Sequence, residues 1–428
     1  MARSMTITEK IMARAAGKNE VKPGDIINAN IDLVYTMDFL GKVLFEHLKD
    51  LGVNAVFDKG KVVVVFDHLT PPSTENAAEL QRYIRKAVDK YGGILYDVGR
   101  HGIMHQMVVE NGHVLPGNLV VGTDSHTPTA GAMGAVVAGV GATDAAVAMA
   151  TGKLWLRVPE QVKVVVKGAF PFGVGSRDLV FNLMKQKGWD GSTGLWAYKS
   201  IEFSGEAINN LNVDKRLTAA NLIADMGAKN AIMEPNQVTI EYLKNITNKK
   251  YDVVKSDPDA DYYEVLEIDA SQLEPSVACP HSPDNVKVIS EVEGTRIDQA
   301  ILASCSNARI SDLREAAEIL KDNKVASHTR LIISPASQAI YQQALKEGLI
   351  DIFIKAGALV GPPSCGPCYG AQMGLLASEE VCITTTPRNM QGRMGSKQAE
   401  IYSASPKIVA ASAVKGEIAD PRKLLEEI

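Results

Sequence analysis

The sequence is poor in aromatic residues and cysteine, and it has no apolar stretch long enough to span a membrane. Only 6% of its 428 residues are aromatic, and five are cysteine. Five cysteines without the spacing of a disulfide framework indicate a reducing compartment, so we expect a cytoplasmic protein. A signal-peptide pattern and a basic stripe are also missing, and the net charge is −5. We therefore expect neither a nucleic-acid partner nor a membrane.

The composition and the order of the segments indicate a globular α/β protein. The apolar share is 46% and the charged share 22%, and the length suggests two or three domains. Short β-rich runs alternate with helical stretches, which is the pattern of a mostly parallel sheet. Residues 130–150, rich in Gly, Ala and Val, are expected to form a closely packed helix. The glycines at 139 and 141 lack the third glycine of a dinucleotide fingerprint, so no nucleotide site is expected.

Three cysteines carry most of the chemical information. Cys365 and Cys368 form a CxxC motif whose two thiolates can converge on one metal centre, and Cys305 can supply a third. Three thiolates suit a metal site that keeps one position open, whereas four would close a structural zinc or electron-transfer site. The first hypothesis is therefore an iron–sulfur centre that catalyses without redox turnover. Spacing alone leaves zinc, a redox CxxC and plain buried cysteines as alternatives. For Cys382, in a predicted strand, packing is the better interpretation, and Cys279 is given no role.

Histidines and carboxylates cluster in the first 130 residues. Asp67 and His68 follow one predicted strand, Asp124 and His126 follow another, and His105 lies between them. A carboxylate beside an imidazole fixes its tautomer and raises its basicity, as an acid or hydrogen-bond donor in a dehydration requires. A zinc hydrolase could use the same residues, but the HExxH and HxxEH spacings are missing.

Six motifs occur in the order found in one family. They are DHL at 67–69, HQ at 105–106, GTDSHT at 122–127, SCSN at 304–307, CGPC at 365–368 and GRMG at 392–395. With these motifs the chain resembles, from about Met5 to its end, the large subunits of the 3-isopropylmalate dehydratase and homoaconitase group of the aconitase superfamily.

The resemblance implies a role for each matching residue. Cys305, Cys365 and Cys368 match the ligands of a [4Fe–4S] cluster with one open iron site. His68, backed by Asp67, matches the histidine that handles the departing hydroxyl. The other implied catalytic pairs are His105 with Asp124 and His126 with Asp225. The implied contacts to the cluster are Asn221 and Asn307, and the implied contacts to substrate are Ser125, Arg388 and Arg393.

The resemblance also implies the architecture and a partner. Three α/β/α domains with mostly parallel sheets would surround a shared cleft, with domains at 1–160, 161–284 and 285–428. The first would carry the acid–histidine pairs and the third the cysteines. Single-chain aconitases have a further swivel domain with a serine base, which we do not find before Ile428. We therefore expect a separate small subunit to supply both, and little turnover without it.

The implied activity is dehydration or isomerisation of a small 2-hydroxy dicarboxylic acid by a hydro-lyase. The first candidate is 3-isopropylmalate, which would place the chain in leucine biosynthesis. Three positions depart from the family pattern, namely Met37, Ala308 and Pro387, and they fit a 2,3-dimethylmalate or homoaconitate enzyme equally well. A non-catalytic iron–sulfur protein would keep the cysteines but has no need of three acid–histidine pairs.

Overall fold

Three sheets, each flanked by helices, organise the chain in the computed structural model, which describes residues 3–189 and 194–426. The sheets collect their strands from consecutive stretches of the chain, at residues 33–139, 161–269 and 276–403. Most neighbouring strands are parallel, so the predicted α/β class is confirmed. The predicted domain boundaries stay a prediction. No helix in the described ranges is long and apolar enough to cross a membrane.

The first sheet has five parallel strands in the order β4-β3-β2-β5-β6, and an antiparallel ribbon of β1 and β7 lies beside it. The elements of this region are α1 (Ile7–Ala15), β1 (Ile26–Asn30), β2 (Leu33–Met37), α2 (Asp38–Asp50), β3 (Val62–Val65), α3 (Glu75–Tyr91), β4 (Ile94–Tyr96), α4 (Met104–Glu110), β5 (Leu119–Gly122), β6 (Val136–Gly139), α5 (Ala142–Thr151) and β7 (Lys153–Arg157). The four valines of β3 are all buried, as expected of a parallel strand covered on both faces.

The second sheet has four parallel strands in the order β10-β9-β8-β11. The elements of this region are β8 (Gln161–Lys167), α6 (Ser176–Lys187), β9 (Ser200–Ser204), α7 (Glu206–Asn209), α8 (Val213–Leu222), β10 (Asn230–Met233), α9 (Gln237–Lys244) and β11 (Glu264–Asp269). One apolar core runs through the first and second regions, so the two are packed together.

The third sheet has seven strands in the order β13-β12-β18-β17-β14-β15-β16, of which the last five are parallel. The elements of this region are β12 (Ser276–Ala278), β13 (Val286–Val288), β14 (Gln299–Leu302), α10 (Ile310–Leu320), β15 (Arg330–Ile333), α11 (Gln338–Lys346), α12 (Leu349–Ala356), β16 (Leu359–Val360), β17 (Val381–Thr384), β18 (Glu400–Ser403), α13 (Pro406–Lys415) and α14 (Pro421–Glu426). Strand β12 begins before residue 285, where the sequence suggested a boundary.

The expectation of one helix over residues 130–150 is wrong. A 3₁₀ turn ends at Met133, β6 follows, and only α5 is helical in this range. Gly134 has a φ of +79°, a left-handed conformation that ends the turn and directs the chain into the sheet. Small residues make this segment look like a packed helix, although here they allow close packing around a buried strand.

The carboxyl ends of strands from two sheets supply the loops of the site. Asp67 and Asp124 come soon after β3 and β5 of the first sheet. Cys305 and Cys365 come soon after β14 and β16 of the third sheet. Parallel sheets place their ligands in crevices outside these strand ends, and here two such edges face each other.

Candidate active site

A cavity of about 350 Å³ lies between the loops of the first and third sheets. It brings together nine of the residues predicted from the sequence. The residues that line it are Met37, Phe39, Leu40, His68, Thr123, Asp124, Ser125, His126, Cys305, Cys365, Cys368, Tyr369, Arg388 and Arg393. Four other predicted residues, Asp67, His105, Asp225 and Asn221, lie behind this lining and hydrogen-bond to its members or neighbours.

His68 is held at the cavity wall by two carboxylates. Its Nδ1 lies 2.6 Å from Oδ1 of Asp67, and its Nε2 points toward Asp124 at 4.0 Å. The backbone of the same loop is fixed by Asp38, whose carboxylate accepts hydrogen bonds from the amides of His68 and Leu69 at 3.1 and 2.9 Å. Asp38 begins α2 directly after β2, so two adjacent parallel strands determine where this imidazole lies.

A chain of alternating imidazoles and carboxylates continues from the same wall. His105 Nε2 lies 3.0 Å from Asp124, and His126 Nε2 lies 3.2 Å from Asp225. Asp124 also accepts a hydrogen bond from the amide of His126 at 2.8 Å. The second ring nitrogen of His105 hydrogen-bonds with the hydroxyl of Tyr35 at 3.0 Å. Both predicted pairs are therefore within hydrogen-bonding distance, while their catalytic roles stay predictions.

Asp225 reaches His126 with the shorter of the two acidic side chains. Its side chain is fully buried, and it also accepts a hydrogen bond from Nε of Arg388 at 2.6 Å. The short 3₁₀ turn at Ile223–Met226 brings the backbone close enough for the shorter carboxylate. The aspartate thus joins the histidine network to the arginine on the third region.

The carboxylates keep His68 and His126 charged. Burial by itself lowers the pKa of His68, but the charge and hydrogen bond of Asp67 outweigh it and raise the pKa to about 10. Burial also lowers the pKa of His126, but the charge of Asp225 outweighs it and raises the pKa to about 10. Burial raises the pKa of Asp124, but hydrogen bonds with His105 and His126 reverse this and hold it well below its usual value. The wall therefore offers protonated imidazoles at neutral pH.

The cysteine loops are buried and are held mainly through their backbones. The amide of Cys365 donates to the carbonyl of Asp67 at 2.9 Å, which ties the CxxC loop to the His68 loop. The hydroxyl of Ser364 donates to the same carbonyl at 2.7 Å. The Cys368 amide donates to the Cys365 carbonyl at 3.0 Å within a 3₁₀ turn, so both thiols of the motif face the same side. Hydrogen bonding with Cys365, helped by the charges of His126 and His105, holds the pKa of Cys305 well below its usual value.

The three cysteine sulfurs are not all drawn together as closely as a single bound metal ion requires. A tetrahedral zinc bound at about 2.3 Å would bring three sulfurs to about 3.8 Å from one another. Within the described ranges, the only three possible ligand atoms within 4.8 Å of one another belong to Asp38, Asp67 and His68, and these are occupied by the hydrogen bonds above. The three cysteine sulfurs do not all lie within 4.8 Å of one another, although Cys305 and Cys365 are close enough to hydrogen-bond.

The two predicted arginines reach the cavity from the third region. Arg388 pairs with Asp225 and donates from Nη2 to Oγ of Ser125 at 3.1 Å. Arg393 donates from Nη2 to Sγ of Cys368 at 3.4 Å. A guanidinium held by a carboxylate on one side is oriented to bind a second carboxylate on the other.

Two predicted cluster contacts and the remaining cysteines lie outside the cavity lining. Asn221 donates to Oγ1 of Thr129 at 2.8 Å, while its buried Oδ1 has no hydrogen-bond partner in the described structure. Asn307 accepts hydrogen bonds from Arg177. Cys382 is buried in β17 and Cys279 follows β12, and neither lines the cavity.

Several residues of the site were not found by sequence reasoning. Tyr35 and Tyr369 contact His105 and the His68 loop, and Arg309 reaches from the third region to Gln106, beside His105. Only Asp38 had a usable signal, because it follows a buried apolar strand in the same way as Asp67.

Comparison with known proteins agrees with this geometry. The profile of the aconitase family (aconitate hydratase) matches residues 9–416. The chain is 47% identical over 422 residues to a probable 3-isopropylmalate dehydratase large subunit of Methanothermobacter thermautotrophicus, covering 98% of this chain and 100% of the relative. It is 47% identical over 426 residues to the 3-isopropylmalate dehydratase large subunit of Caldicellulosiruptor saccharolyticus, covering 99% and 98%. A crystal structure of Thermococcus kodakaraensis aconitase X in its holo-form matches with 14% identity and a TM-score of 0.49, covering 89% of each chain.

The family profile and the named relatives define a hydro-lyase. The chain belongs to the aconitase family, as its motifs predicted. Membership of this family implies an iron–sulfur centre, and the three buried cysteines are the residues that could hold it. The relatives are named large subunits, which implies a small subunit beside them.

Proposed function

We propose that this chain is the iron–sulfur large subunit of a hydro-lyase that dehydrates a 2-hydroxy dicarboxylic acid, with 3-isopropylmalate as the first candidate. One observation carries the proposal: a single cavity is lined by three cysteines, by carboxylate-bound histidines and by two arginines. A non-catalytic iron–sulfur protein would need only the first of these groups. A zinc enzyme would need a closer set of ligands than the cysteines provide.

The cofactor that fits is a [4Fe–4S] cluster bound by Cys305, Cys365 and Cys368. These three residues would hold the cluster and would leave one of its four iron atoms without a protein ligand. When bound, such a centre supplies a Lewis acid that polarises the C–O bond of a hydroxyl group. The hydrogen bond of Arg393 to Cys368 would add to the binding of the thiolate.

The histidines move and hold protons. His68 carries a proton at neutral pH because Asp67 raises its pKa, and its Nε2 faces the cavity beside Asp124. It is therefore placed to protonate a departing hydroxyl group as a general acid. His105 and His126 hold Asp124 in its ionised form and in one orientation. They act as positioning residues for that carboxylate.

The arginines and Ser125 would bind the carboxylates of the substrate. Arg388 is oriented by Asp225 and donates to Ser125, so its fork and the hydroxyl are placed to meet one carboxylate. Arg393, which also lines the cavity, is oriented by its hydrogen bond to Cys368. Two guanidinium groups in one cavity suit a dicarboxylic acid.

The remaining requirement is a base that removes the proton from the adjacent carbon. We propose that a small subunit, carrying the swivel domain and its serine, provides this base and covers the cavity. The naming of the relatives as large subunits supports such a partner. An isolated chain that is fully active would place the base here, at Ser125 or at Ser396.

The choice among substrates depends on the apolar part of the lining. Met37, Phe39 and Leu40 form an apolar patch beside His68, and such a patch suits an alkyl substituent. The relatives are named for 3-isopropylmalate, which carries one. The alternatives are 2,3-dimethylmalate and homoaconitate, the first with a smaller substituent and the second with an additional carboxylate.

The test is an assay of the anaerobically reconstituted chain, alone and with a small subunit, against these three acids. We expect activity only with the small subunit and the highest kcat/KM with 3-isopropylmalate. The variant M37Q is the probe of specificity, because Met37 lines the apolar part of the cavity. A higher kcat/KM with homoaconitate would reassign the substrate, and no hydration of any diacid by the complex would contradict the function.

A further inference from the structure

Two buried arginines hold the loop that carries Cys305 from opposite sides. Arg177 lies at the start of α6 in the second region, and Arg309 precedes α10 in the third. Arg177 is only 2% exposed and Arg309 only 1%. Neither lines the cavity, so neither is placed to touch a substrate.

Arg177 uses its guanidinium to connect the second region to the Cys305 loop. Its Nη2 donates to Oδ1 of Asn307 at 2.6 Å and to Oγ of Ser306 at 2.9 Å. Its Nη1 donates to Oγ of Ser403 at 2.8 Å, and Nη2 also donates to the carbonyl of Thr385. All four partners are neutral, and two of them directly follow Cys305.

The side chain of Arg309 holds the same loop by hydrogen bonds to the backbone carbonyls of the loop. It donates to the carbonyl of Cys305 at 2.7 Å and to the carbonyl of Ser306 at 3.0 Å. Its Nε donates to Oε1 of Gln106 at 3.0 Å. Since Gln106 follows His105 on α4, this arginine joins the histidine wall to the cysteine loop.

Neither guanidinium has a carboxylate partner. Within the described ranges, no carboxylate oxygen forms an ion pair with Arg177 or Arg309 at 4.0 Å or less. The adjacent Asp178 uses its two oxygens for the amides of Gly175 and Ser276. Burying a charge among neutral partners is costly, and an anion beside the guanidinium would lower that cost. Three thiolates around a [4Fe–4S] core of charge 2+ carry a net charge of −1, which two cations would stabilise.

A third buried arginine provides the contrast. Arg216 on α8 is 1% exposed and donates to the carbonyls of Asn209 and Leu211 and to Thr239. Burial alone lowers the pKa of Arg216. Burial also lowers the pKa of Arg177, but there the charges of Asp178, Asp312, Asp225 and Cys305 oppose the shift.

We propose that Arg177 and Arg309 are positioning residues that hold the Cys305 loop and supply the positive charge that balances an anionic iron–sulfur cluster. The inference rests on the proposed function, because it requires the cluster. A nearby positive charge stabilises the reduced, more negative cluster and therefore raises its reduction potential. The same charge favours the thiolate that binds iron, and so it slows the loss of iron.

The experiment measures the midpoint potential of the cluster and the rate of iron release in air. The variants are R177K, which keeps the charge, R177Q, which removes it, and R216Q as the matched control. We expect R177Q to lower the potential and to release iron at least tenfold faster. A tenfold loss in relative stability of the reduced form corresponds to 59 mV for one electron. R177K should stay close to the wild-type potential, as should R216Q.

A further variant covers the case in which R177Q does not fold. R309Q removes the second proposed positive charge and should lower the potential in the same direction. Equal potentials in wild type, R177Q and R309Q would overturn the inference and leave the proposed function intact. If R177K lowered the midpoint potential as much as R177Q, the inference would also be overturned. The geometry of the guanidinium, and not its charge, would then determine the potential. A wild-type chain that binds no cluster would contradict both.

Discussion

The two walls of the cavity are built in different ways. On the histidine wall, His68, His105 and His126 each hydrogen-bond to a carboxylate of the chain itself. On the cysteine wall, the sulfurs have few partners, and the hydrogen bonds to the loops are made mainly to backbone atoms. The first wall is complete without any added group. The second holds three thiols in place without joining them.

This difference separates acid–base chemistry from cofactor binding. Preorganised pairs are held by hydrogen bonds within the chain, whereas thiolates without metal lose their shared anchor. Substitutions on the two walls should therefore have separable effects, on turnover for the histidine wall and on cofactor retention for the cysteine wall.

The largest expected effect comes from the cysteine wall. Replacing Cys305, Cys365 or Cys368 by serine should abolish retention of the cluster, because each removes one of the three proposed protein ligands. Visible absorbance and iron content after anaerobic reconstitution measure this. C382S and C279S are the matched controls and should retain the cluster. Loss of the cluster in C382S would mean that the ligand set is wrong.

The next effect comes from the histidine wall and should leave the cluster in place. H68N removes the proposed general acid, and such groups contribute about 10²–10⁴-fold to rate. We expect kcat of the two-subunit enzyme to fall by that factor while iron content stays unchanged. A variant that loses iron and activity together would contradict the separation of the two walls.

The residues adjacent to strand ends could be predicted from the sequence. Asp67, Asp124 and the CxxC pair all follow short apolar runs, and a parallel sheet brings the ends of such runs to one edge. The motifs then supplied the family, and with it the remaining partners. Asp225 is an example, because only its resemblance to a family position connected it with His126, 99 residues away.

The buried arginines that hold the loops of the site could not be predicted in this way. Arg177 meets Asn307 across 130 residues, and Arg309 meets Gln106 across 203. An arginine near a helix start is ordinarily a solvated surface residue, so its burial is known only once three regions are packed together. The error at residues 130–150 has a local cause, because composition does not show that Gly134 ends a turn.

A smaller effect is expected at the arginine that joins the walls. R388K keeps the charge near Asp225 but loses the fork that can bind a carboxylate in two places. We expect KM to rise about tenfold, equivalent to about 1.4 kcal/mol, with a smaller change in kcat. Steady-state kinetics with the two-subunit enzyme measures this. An unchanged KM would remove Arg388 from the substrate site.

The smallest effect concerns the pH dependence of stability. The pKa of His68 is raised from 6.5 to about 10, so its pairing with Asp67 stabilises the fold fully below pH 6.5 and is lost as the pH rises through about 10. D67N should therefore flatten the decrease in Tm between pH 7 and pH 10. Thermal melts of the metal-free chain measure this, and R216Q serves as a control that should keep the wild-type slope. Parallel slopes for D67N and wild type would contradict the pairing.

The most direct test of the account is the iron and sulfide content of the chain after anaerobic reconstitution. The account predicts about four iron atoms and about four sulfides per chain, with one iron readily removed because it has no protein ligand. One metal ion per chain with no sulfide would contradict it, since the cysteine wall would then be a mononuclear site.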